Sequence, residues 1–239
     1  MSIPLVPAAQ YESIALAADV ETLPELARLV VNAKDCPAVS AVKLGFSLAL
    51  RHGLQATIAA VKSQATLKVI YDHQKAGTDI PQMGRPFAKT CREAGVDGVI
   101  IFPHAGPRTL EAFVAGALEN QLVPIVGLMM THPEYLAADG GYIVDSAPEA
   151  ICESSLRLGV RNFVLPGTNL PVVRRFAGHL LASRDYTLWL PGIGNQGGTL
   201  GSALEAAHPN RAVGIIGSAI YSADDPREAL IRFAAEVTT

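Results

Sequence analysis

The sequence has few cysteines, and none is arranged for a disulfide framework or a zinc site. Cys36, Cys91 and Cys152 are the three cysteines in 239 residues; they lie far apart and form no CxxC pair. Small disulfide-built and zinc-built domains depend on paired or closely spaced cysteines. Both classes are excluded, and we expect a reducing, cytoplasmic environment. The N-terminal segment, MSIPLVPAAQYES, also lacks the basic start and long apolar core of a signal peptide.

Charged residues are also scarce, and no segment is apolar over a long stretch. Of all residues 17% are charged and 49% are hydrophobic, and the net charge is -3. Disordered chains show the opposite balance. A general nucleic-acid binder usually has a basic stripe or a pI above about 9, whereas the pI here is near 6.1. A membrane-spanning helix needs roughly 18–20 apolar residues. We therefore expect a folded protein with no nucleic-acid partner and no membrane span.

Short apolar runs alternate with longer amphipathic stretches along the whole chain. We predict strands at 14–19, 41–45, 67–72, 98–103, 123–129, 162–165, 187–190 and 213–217. We predict helices at 23–31, 55–62, 85–94, 107–118, 147–158, 170–182, 200–206 and 225–237. This order predicts one α/β domain over residues 1–239, a single (β/α)8 TIM barrel. The alternative, a doubly wound open sheet, usually stops at about five or six strands.

Charged residues stand at the ends of the first three predicted strands. In such a barrel the active site lies at the carboxyl ends of the strands, which selects Asp19, Lys43 and Asp72, with Lys75 and Asp79 in the loop after the third strand. A lysine between aspartates stays protonated despite partial burial and can donate a proton to a substrate. The alternative is a set of ion pairs with a purely structural role. We favour the functional interpretation, a network of alternating charges.

Two glycine-rich loops follow the seventh and eighth predicted strands, at 190–198 (LPGIGNQGG) and 215–221 (IIGSAIY). Phosphate sites in these barrels are frequently formed by these two loops, because glycine lets backbone N–H groups approach an anion. The loops predict a phosphorylated ligand, although tight turns alone would also require glycine. His132, after the fifth strand, is a candidate general acid or a local hydrogen-bonding residue. No histidine pair has metal-ligand spacing, so we expect no metal site.

Together these motifs resemble the orotidine 5′-phosphate decarboxylase family over the whole chain. The family pattern is a first-strand Asp, a second-strand Lys, D-x-K-x-x-D-I, (S/T)-H-P, P-G-x-G-x-Q-G-G and G-R-x-I-Y, in that order. The matching positions are Asp19, Lys43, Asp72, Lys75, 79–81, 131–133, 191–198 and 217–221. The string at 191–198 is the most specific match.

The resemblance implies cofactor-independent decarboxylation of orotidine 5′-monophosphate to uridine 5′-monophosphate, the last step of de novo pyrimidine synthesis. Lys75 would protonate C6, Asp72 would crowd the substrate carboxylate, and Lys43 would anchor the network. Asp79 would come from the partner subunit of a homodimer with shared active sites. The implied substrate-binding residues are Asp19 (ribose), Thr131 (pyrimidine), Gln196 (base and phosphate), Ile80, Pro191, Gly197, Gly217 and Ser218.

Three departures separate this chain from the family pattern. The gaps from Asp72 to Lys75 and from Lys75 to Asp79 are each one residue longer, and Met83 replaces a threonine. Ser218 stands where the family has a phosphate-binding arginine, and a hydroxyl does not replace a bidentate guanidinium–phosphate pair. Backbone N–H groups at Gly217 and Ser218 could hold the phosphate, and we hypothesise that Arg85 supplies the missing charge.

Two other functions fit the same motifs. One is a magnesium-dependent relative such as 3-keto-L-gulonate 6-phosphate decarboxylase or hexulose phosphate synthase, which resembles the family in fold and in its Asp–Lys–Asp loop. The other is a nucleotide-binding barrel without activity. The segment 79–81 and the loop of Gln196 favour the pyrimidine enzyme.

Overall fold

Eight parallel strands close into a barrel in sequence order, with β8 hydrogen-bonded to β1. The computed structural model describes residues 5–7, 10–73, 77–183 and 185–237. The strands are β1 (Glu12–Ala17), β2 (Val39–Gly45), β3 (Lys68–Asp72), β4 (Gly98–Ile101), β5 (Val123–Gly127), β6 (Asn162–Val164), β7 (Thr187–Leu190) and β8 (Arg211–Ile216). The predicted (β/α)8 barrel is confirmed.

Helices cover the outside of the barrel. They are α1 (Leu23–Ala33), α2 (Phe46–His52), α3 (Leu54–Lys62), α4 (Gly84–Ala94), α5 (Pro107–Glu119), α6 (Ala147–Arg157), α7 (Leu170–Gly178), α8 (Leu200–Ala206), α9 (Ser218–Tyr221) and α10 (Pro226–Ala234), with 3-10 turns at Pro81–Met83 and Ala137–Asp139. No described helix is both long and apolar enough to cross a membrane.

Helix ends follow local capping chemistry, with some corrections to the predicted bounds. Thr22 caps α1 in a reciprocal capping box with Glu25. The last helix is capped by the Asp225 carboxylate, which accepts two backbone N–H groups, so it begins after the residue predicted to start it. The helices α2 and α9 were not predicted. Gly53, at φ 81° and ψ 142°, separates α2 from α3, because glycine readily adopts a positive φ that interrupts the helix.

The barrel interior is filled at its amino-terminal end and open at the other. Alternate strand residues point inward, among them Ile70, Ile125 and Trp189, as expected for parallel strands buried on both faces. Leu5 and Val6 are also buried in this inner cluster. Gly98 leaves room for Leu5, since a Cβ on that glycine would lie 2.8 Å from Leu5 Cδ1. Because this end is closed, a ligand has access from the carboxyl ends of the strands.

Candidate active site

A cavity of about 280 Å³ lies at the carboxyl ends of the strands. It receives residues from the ends of β1, β2 and β3 and from the loops that follow β4, β5, β7 and β8. The predicted site residues that line it are Asp19, Lys43, Asp72, Thr131, Pro191, Gln196, Gly217 and Ser218. Most of the predicted site therefore shares one cavity.

Lys43 is held between two carboxylates at the edge of this cavity. Its Nζ lies 3.4 Å from Asp19 Oδ1 and 3.3 Å from Asp72 Oδ2. Strand register explains the arrangement: Ala17 pairs with Lys43, and Gly45 pairs with Asp72. The side chains of Lys43 and Asp72 are 11% and 8% exposed, whereas that of Asp19 is 44% exposed. The cluster thus reaches from the interior to the cavity mouth.

The two carboxylates keep Lys43 protonated. Burial alone would lower the pKa of Lys43, but the charges and hydrogen bonds of Asp72 and Asp19 outweigh burial and raise that pKa above its ordinary value. A lysine with a raised pKa is a poor proton donor at neutral pH. Lys43 is therefore suited to fix the charges of its two neighbours.

The approach of Asp19 to Lys43 depends on the absence of a side chain at Gly45. A Cβ built on Gly45 would lie 2.5 Å from Asp19 Oδ1, well inside van der Waals contact. Any larger residue at this position would push the Asp19 carboxylate away.

The loops after β7 and β8 pack directly on each other. Gly194, at φ 87°, lies so close to Ala219 that a Cβ on Gly194 would be 2.5 Å from Ala219 Cβ. Asn195 Nδ2 donates a hydrogen bond of 3.0 Å to Ser218 Oγ. Asn195 also lines the cavity. Sequence reasoning assigned no role to this residue, although it lies inside the glycine-rich string that was singled out.

Gly192 lies between two of the predicted substrate-binding residues. Its φ is 94°, and a Cβ placed there would be 3.3 Å from Gln196 Oε1 and 3.5 Å from Thr131 Cγ2. This places a side-chain amide and a hydroxyl-bearing residue on one side of the cavity.

An apolar wall completes the cavity and was not predicted. Phe102 packs on Gly127, where no side chain would fit, and lines the cavity together with Ile100, Met130 and Ile215. A flat ring fits against such a surface, because aromatic and aliphatic side chains desolvate its faces. The sequence could have indicated this wall, because Phe102 directly follows β4 and therefore lies at the barrel end that carries the charged residues.

Several predicted residues lie outside this cavity. Asp79 lines a different one with His73, Met83 and Phe87, and its Oδ1 accepts the backbone N–H of Ile80 at 2.7 Å. Ile80 is 59% exposed. The predicted residue Gly197 is in the β7 loop at φ 93° but is outside the cavity lining. Lys75 lies outside the described residues, so its predicted role stays a prediction.

Two hypotheses about individual residues change. Arg85 does not line the cavity; its Nε and Nη2 each donate a 2.8 Å hydrogen bond to the Glu119 carboxylate on α5. The hypothesis that Arg85 supplies a phosphate-binding charge is wrong for this barrel. His132 is exposed and packs edge-on against the Tyr135 ring, in a neighbouring cavity.

Comparison with known proteins adds to this geometry. The family described as Orotidine 5′-phosphate decarboxylase / HUMPS family matches residues 12–233. The chain belongs to this family. This membership confirms the resemblance inferred from the motifs. The match extends over nearly the whole barrel.

Individual members of this family match the chain along almost their full length. The orotidine 5′-phosphate decarboxylase of Methanosarcina mazei is 30% identical over 226 residues, covering 93% of each chain. That of Pyrococcus furiosus is 29% identical, covering 94% of this chain and 97% of its own. In fold, the chain is similar to the Methanocaldococcus jannaschii orotidine 5′-monophosphate decarboxylase crystallised with the inhibitor BMP, with a TM-score of 0.83, 24% identity, and coverage of 96% and 100%.

Proposed function

We propose that this protein is a carboxy-lyase that converts orotidine 5′-monophosphate to uridine 5′-monophosphate and CO2. The observation that carries the proposal is the buried Lys43, held between Asp19 and Asp72 at the edge of a cavity in a member of this family. The proposal is also supported by the relatives from Methanosarcina mazei and Pyrococcus furiosus, which bear that enzyme's name. The reaction would be the last step of de novo pyrimidine synthesis.

In the proposed chemical step the bond between C6 and the carboxylate carbon breaks, and its electron pair stays on C6. The Lys75 ammonium gives a proton to C6 as CO2 leaves, and water then reprotonates Lys75. Asp72 faces the departing carboxylate, where a negative charge disfavours the ground state more than the transition state. Lys43 holds the Asp72 carboxylate in place through their 3.3 Å contact, and preorganised charges act without reorganising during the reaction. The proposed step uses no cofactor.

Substrate placement follows from the cavity lining. The pyrimidine lies against the wall of Ile100 and Phe102, with Thr131 and Gln196 at its polar edge. Asp19, the most exposed member of the charge cluster, accepts a ribose hydroxyl hydrogen. The phosphate lies at the loops after β7 and β8, near Pro191, Gly197, Gly217 and Ser218. These roles are supported by position in the cavity for all of them except Gly197, which lies beside it.

We also propose a homodimer in which each active site receives Asp79 from the partner subunit. Asp79 lies outside the cavity of its own barrel. Two exposed apolar residues lie beside it, Ile80 and Met83, at 59% and 40% exposure. A dimer contact would bury this apolar surface and carry Asp79 and Ile80 towards the other mouth.

The experiment that tests the function follows the loss of orotidylate absorbance on adding the protein, with and without EDTA. We expect turnover that EDTA does not change, and a fall of about 10²-fold or more in Lys75→Ala, since a positioned proton donor contributes at least that much. Circular dichroism checks that the variant is folded. Turnover of the wild type that EDTA abolishes would instead support a magnesium-dependent sugar-phosphate enzyme. Binding of uridine 5′-monophosphate without turnover would support a non-catalytic barrel.

A further inference from the structure

A second cavity, of about 350 Å³, lies at the end of the barrel opposite the candidate active site. The first residues of four consecutive strands, β5 to β8, line it: Val123, Asn162, Thr187 and Arg211. Among the residues that the structure describes, none lines both this cavity and that of Lys43. It is therefore a separate candidate site.

Three of these four residues form a polar layer inside the barrel. Asn162 pairs with Thr187 across β6 and β7, and Thr187 pairs with Arg211 across β7 and β8. The residues two positions further along the same strands belong to the apolar inner cluster: Val164, Trp189 and Val213. Because side chains alternate between the two faces of a strand, the three polar side chains point inward as well. The apolar interior thus ends in a polar layer at this cavity.

The described residues do not supply acceptors for two donors of this layer. Thr187 is 8% exposed, and its hydroxyl forms no hydrogen bond with any residue in the described ranges. Asn162 Oδ1 accepts a hydrogen bond of 3.1 Å from Trp189 Nε1, so the NH2 group of Asn162 is the end of the amide turned away from the indole. A buried donor without an acceptor costs free energy. A ligand with acceptor oxygens would remove that cost.

Two guanidinium groups add positive charge to the lining. Arg211 lies over the Tyr11 ring, 5.6 Å from its centroid, and Arg161, which precedes β6, lies over the Tyr186 ring at 5.2 Å. Stacking uses the flat face of a guanidinium, and its N–H donors lie at the edge of that plane. Asp185 is the one acidic residue in the described lining. Two cations and one anion favour an anionic ligand.

The remaining side of the cavity is apolar. Leu5 and Val6 are buried along it, and Leu118 and Pro124 complete this side. Pockets that take small organic molecules have about 300 Å³ or more, which this cavity reaches. Inorganic phosphate has no apolar group to place against these side chains, so the lining fits a larger anion with an apolar part.

We propose that this cavity binds an organic phosphate, a phosphate ester with an apolar body. A phosphate accepts two parallel hydrogen bonds from a guanidinium, and Arg161 and Arg211 supply such groups. Its other oxygens accept from Asn162 and Thr187. The apolar body lies against the side of the cavity that Val123 shares with its apolar neighbours. The site does not depend on the proposed function, because no described residue belongs to both cavities.

The test uses phenyl phosphate as the probe and the fluorescence of the full-length protein as the readout. Trp189 is the single tryptophan of the chain, and its indole is hydrogen-bonded to Asn162. A phosphate bound to Asn162 should therefore change the Trp189 emission saturably, and the titration gives the dissociation constant. We expect inorganic phosphate to bind about tenfold more weakly, because it buries no apolar surface.

Two variants test the contacts. Arg161→Met, which removes an exposed cation, should raise the dissociation constant for phenyl phosphate about tenfold. Thr187→Val keeps the side-chain shape and removes the hydroxyl; it should raise that constant about threefold without lowering the free energy of unfolding, measured in urea. Arg108→Met is the control: Arg108 is paired with Glu111 at the far end of α5 from Leu118, and its loss should leave the constant unchanged.

Uridine 5′-monophosphate at saturation should also leave the dissociation constant for phenyl phosphate unchanged. Competition between the two ligands would place phenyl phosphate in the active-site cavity and overturn the inference. The absence of a saturable change, an affinity unaltered in both Arg161→Met and Thr187→Val, or equal affinity for inorganic phosphate would overturn it too. None of these results decides whether the protein decarboxylates orotidylate, which the absorbance assay measures separately.

Discussion

Lys43 is the residue on which the charge cluster depends. It separates two carboxylates that lie within 3.4 Å of its nitrogen, and one of them, Asp72, is almost fully buried. Replacing a whole buried ion-pair cluster by apolar residues often leaves the free energy of unfolding nearly unchanged. Removing only one partner lowers that free energy strongly, because the remaining charge stays buried without a counter-charge.

Lys43→Met should therefore abolish detectable turnover and lower the free energy of unfolding by roughly 3–5 kcal/mol, as for a broken buried pair. Urea denaturation measures the second effect. Lys89→Met on α4 is the control: Lys89 forms an exposed pair with Glu93 at 3.8 Å, which is worth about 1 kcal/mol or less. A Lys43→Met protein as stable as the control would contradict the expected cost of leaving the buried Asp72 carboxylate without its cation.

The same variant should change the pH dependence of stability. Because the pKa of Lys43 is raised in the folded state, its contribution is fully present below the unfolded value of about 10.4 and is lost only as the pH rises through the folded value. The wild type should show no Lys43-linked change near neutral pH. The difference in stability between the wild type and Lys43→Met should therefore be the same at about pH 6 and at about pH 8, and should shrink only as the pH rises above about 10. Denaturation at these three pH values measures this.

Gly45 gives the Asp19 carboxylate the space it occupies beside Lys43. Gly45→Ala should displace the Asp19 carboxylate, because the new methyl group would lie 2.5 Å from Oδ1. The Asp19 side chain is 44% exposed and has room to move, so we expect a loss of less than about 1 kcal/mol in stability and an increase in KM. Steady-state kinetics and thermal denaturation of Gly45→Ala and Gly178→Ala provide the measurement; nothing lies within 4 Å of a Cβ on Gly178. An unchanged KM would remove Asp19 from the substrate-binding set.

At the scale of elements, the segment between β5 and α6 is attached to the barrel by an aromatic contact. The Tyr135 hydroxyl is hydrogen-bonded to His104 Nε2 at 2.9 Å, and the two rings lie 5.7 Å apart. Burial lowers the pKa of His104, with His132 adding to this effect, and raises the pKa of Tyr135 to about 12. Both groups are therefore neutral near pH 7. Since Thr131 lies in the same segment, this contact bears on how Thr131 is placed.

Tyr135→Phe should keep the buried ring but loosen the segment. We expect faster amide hydrogen exchange in residues 130–146 and a KM increase of roughly threefold to tenfold with little change in kcat, from the loss of one hydrogen bond. Tyr186→Phe, whose ring packs near Phe163 before β7, is the matched control. Equal exchange in the two variants would show that the hydroxyl does not anchor the segment.

The strands could be predicted from the sequence, whereas the contacts between loops could not. Strand and helix periodicity predicted all eight strands, because parallel strands buried on both faces form distinct apolar runs. It missed α2, which is short and ends at Gly53. The charged residues at strand ends were located by the topology of the barrel. The Asn195–Ser218 bond and the Arg85–Glu119 pair were not, since they join residues 23 and 34 positions apart and depend on loop packing.

At the scale of the whole molecule, the proposed shared active site makes a quantitative prediction. Lys75→Ala and Asp79→Ala should each be inactive alone. If Asp79 acts in the partner's site, a mixed dimer has one site with both substitutions and one intact site. An equimolar mixture after subunit exchange should then recover about one quarter of wild-type activity, the statistical share for a symmetric dimer. Activity of the mixture no greater than that of its components would place both residues in the same barrel.

The burial of Leu5 and Val6 in the inner cluster has a consequence for how the two ends of the barrel differ. Their side chains pack against the apolar residues inside one end of the barrel, although neither residue belongs to a strand. Substitutions at the open end therefore do not have to conserve the packing of the closed end. Leu5 and Val6 thus help to close one end of the barrel, and that packing is separate from the residues that line the cavity at the other end.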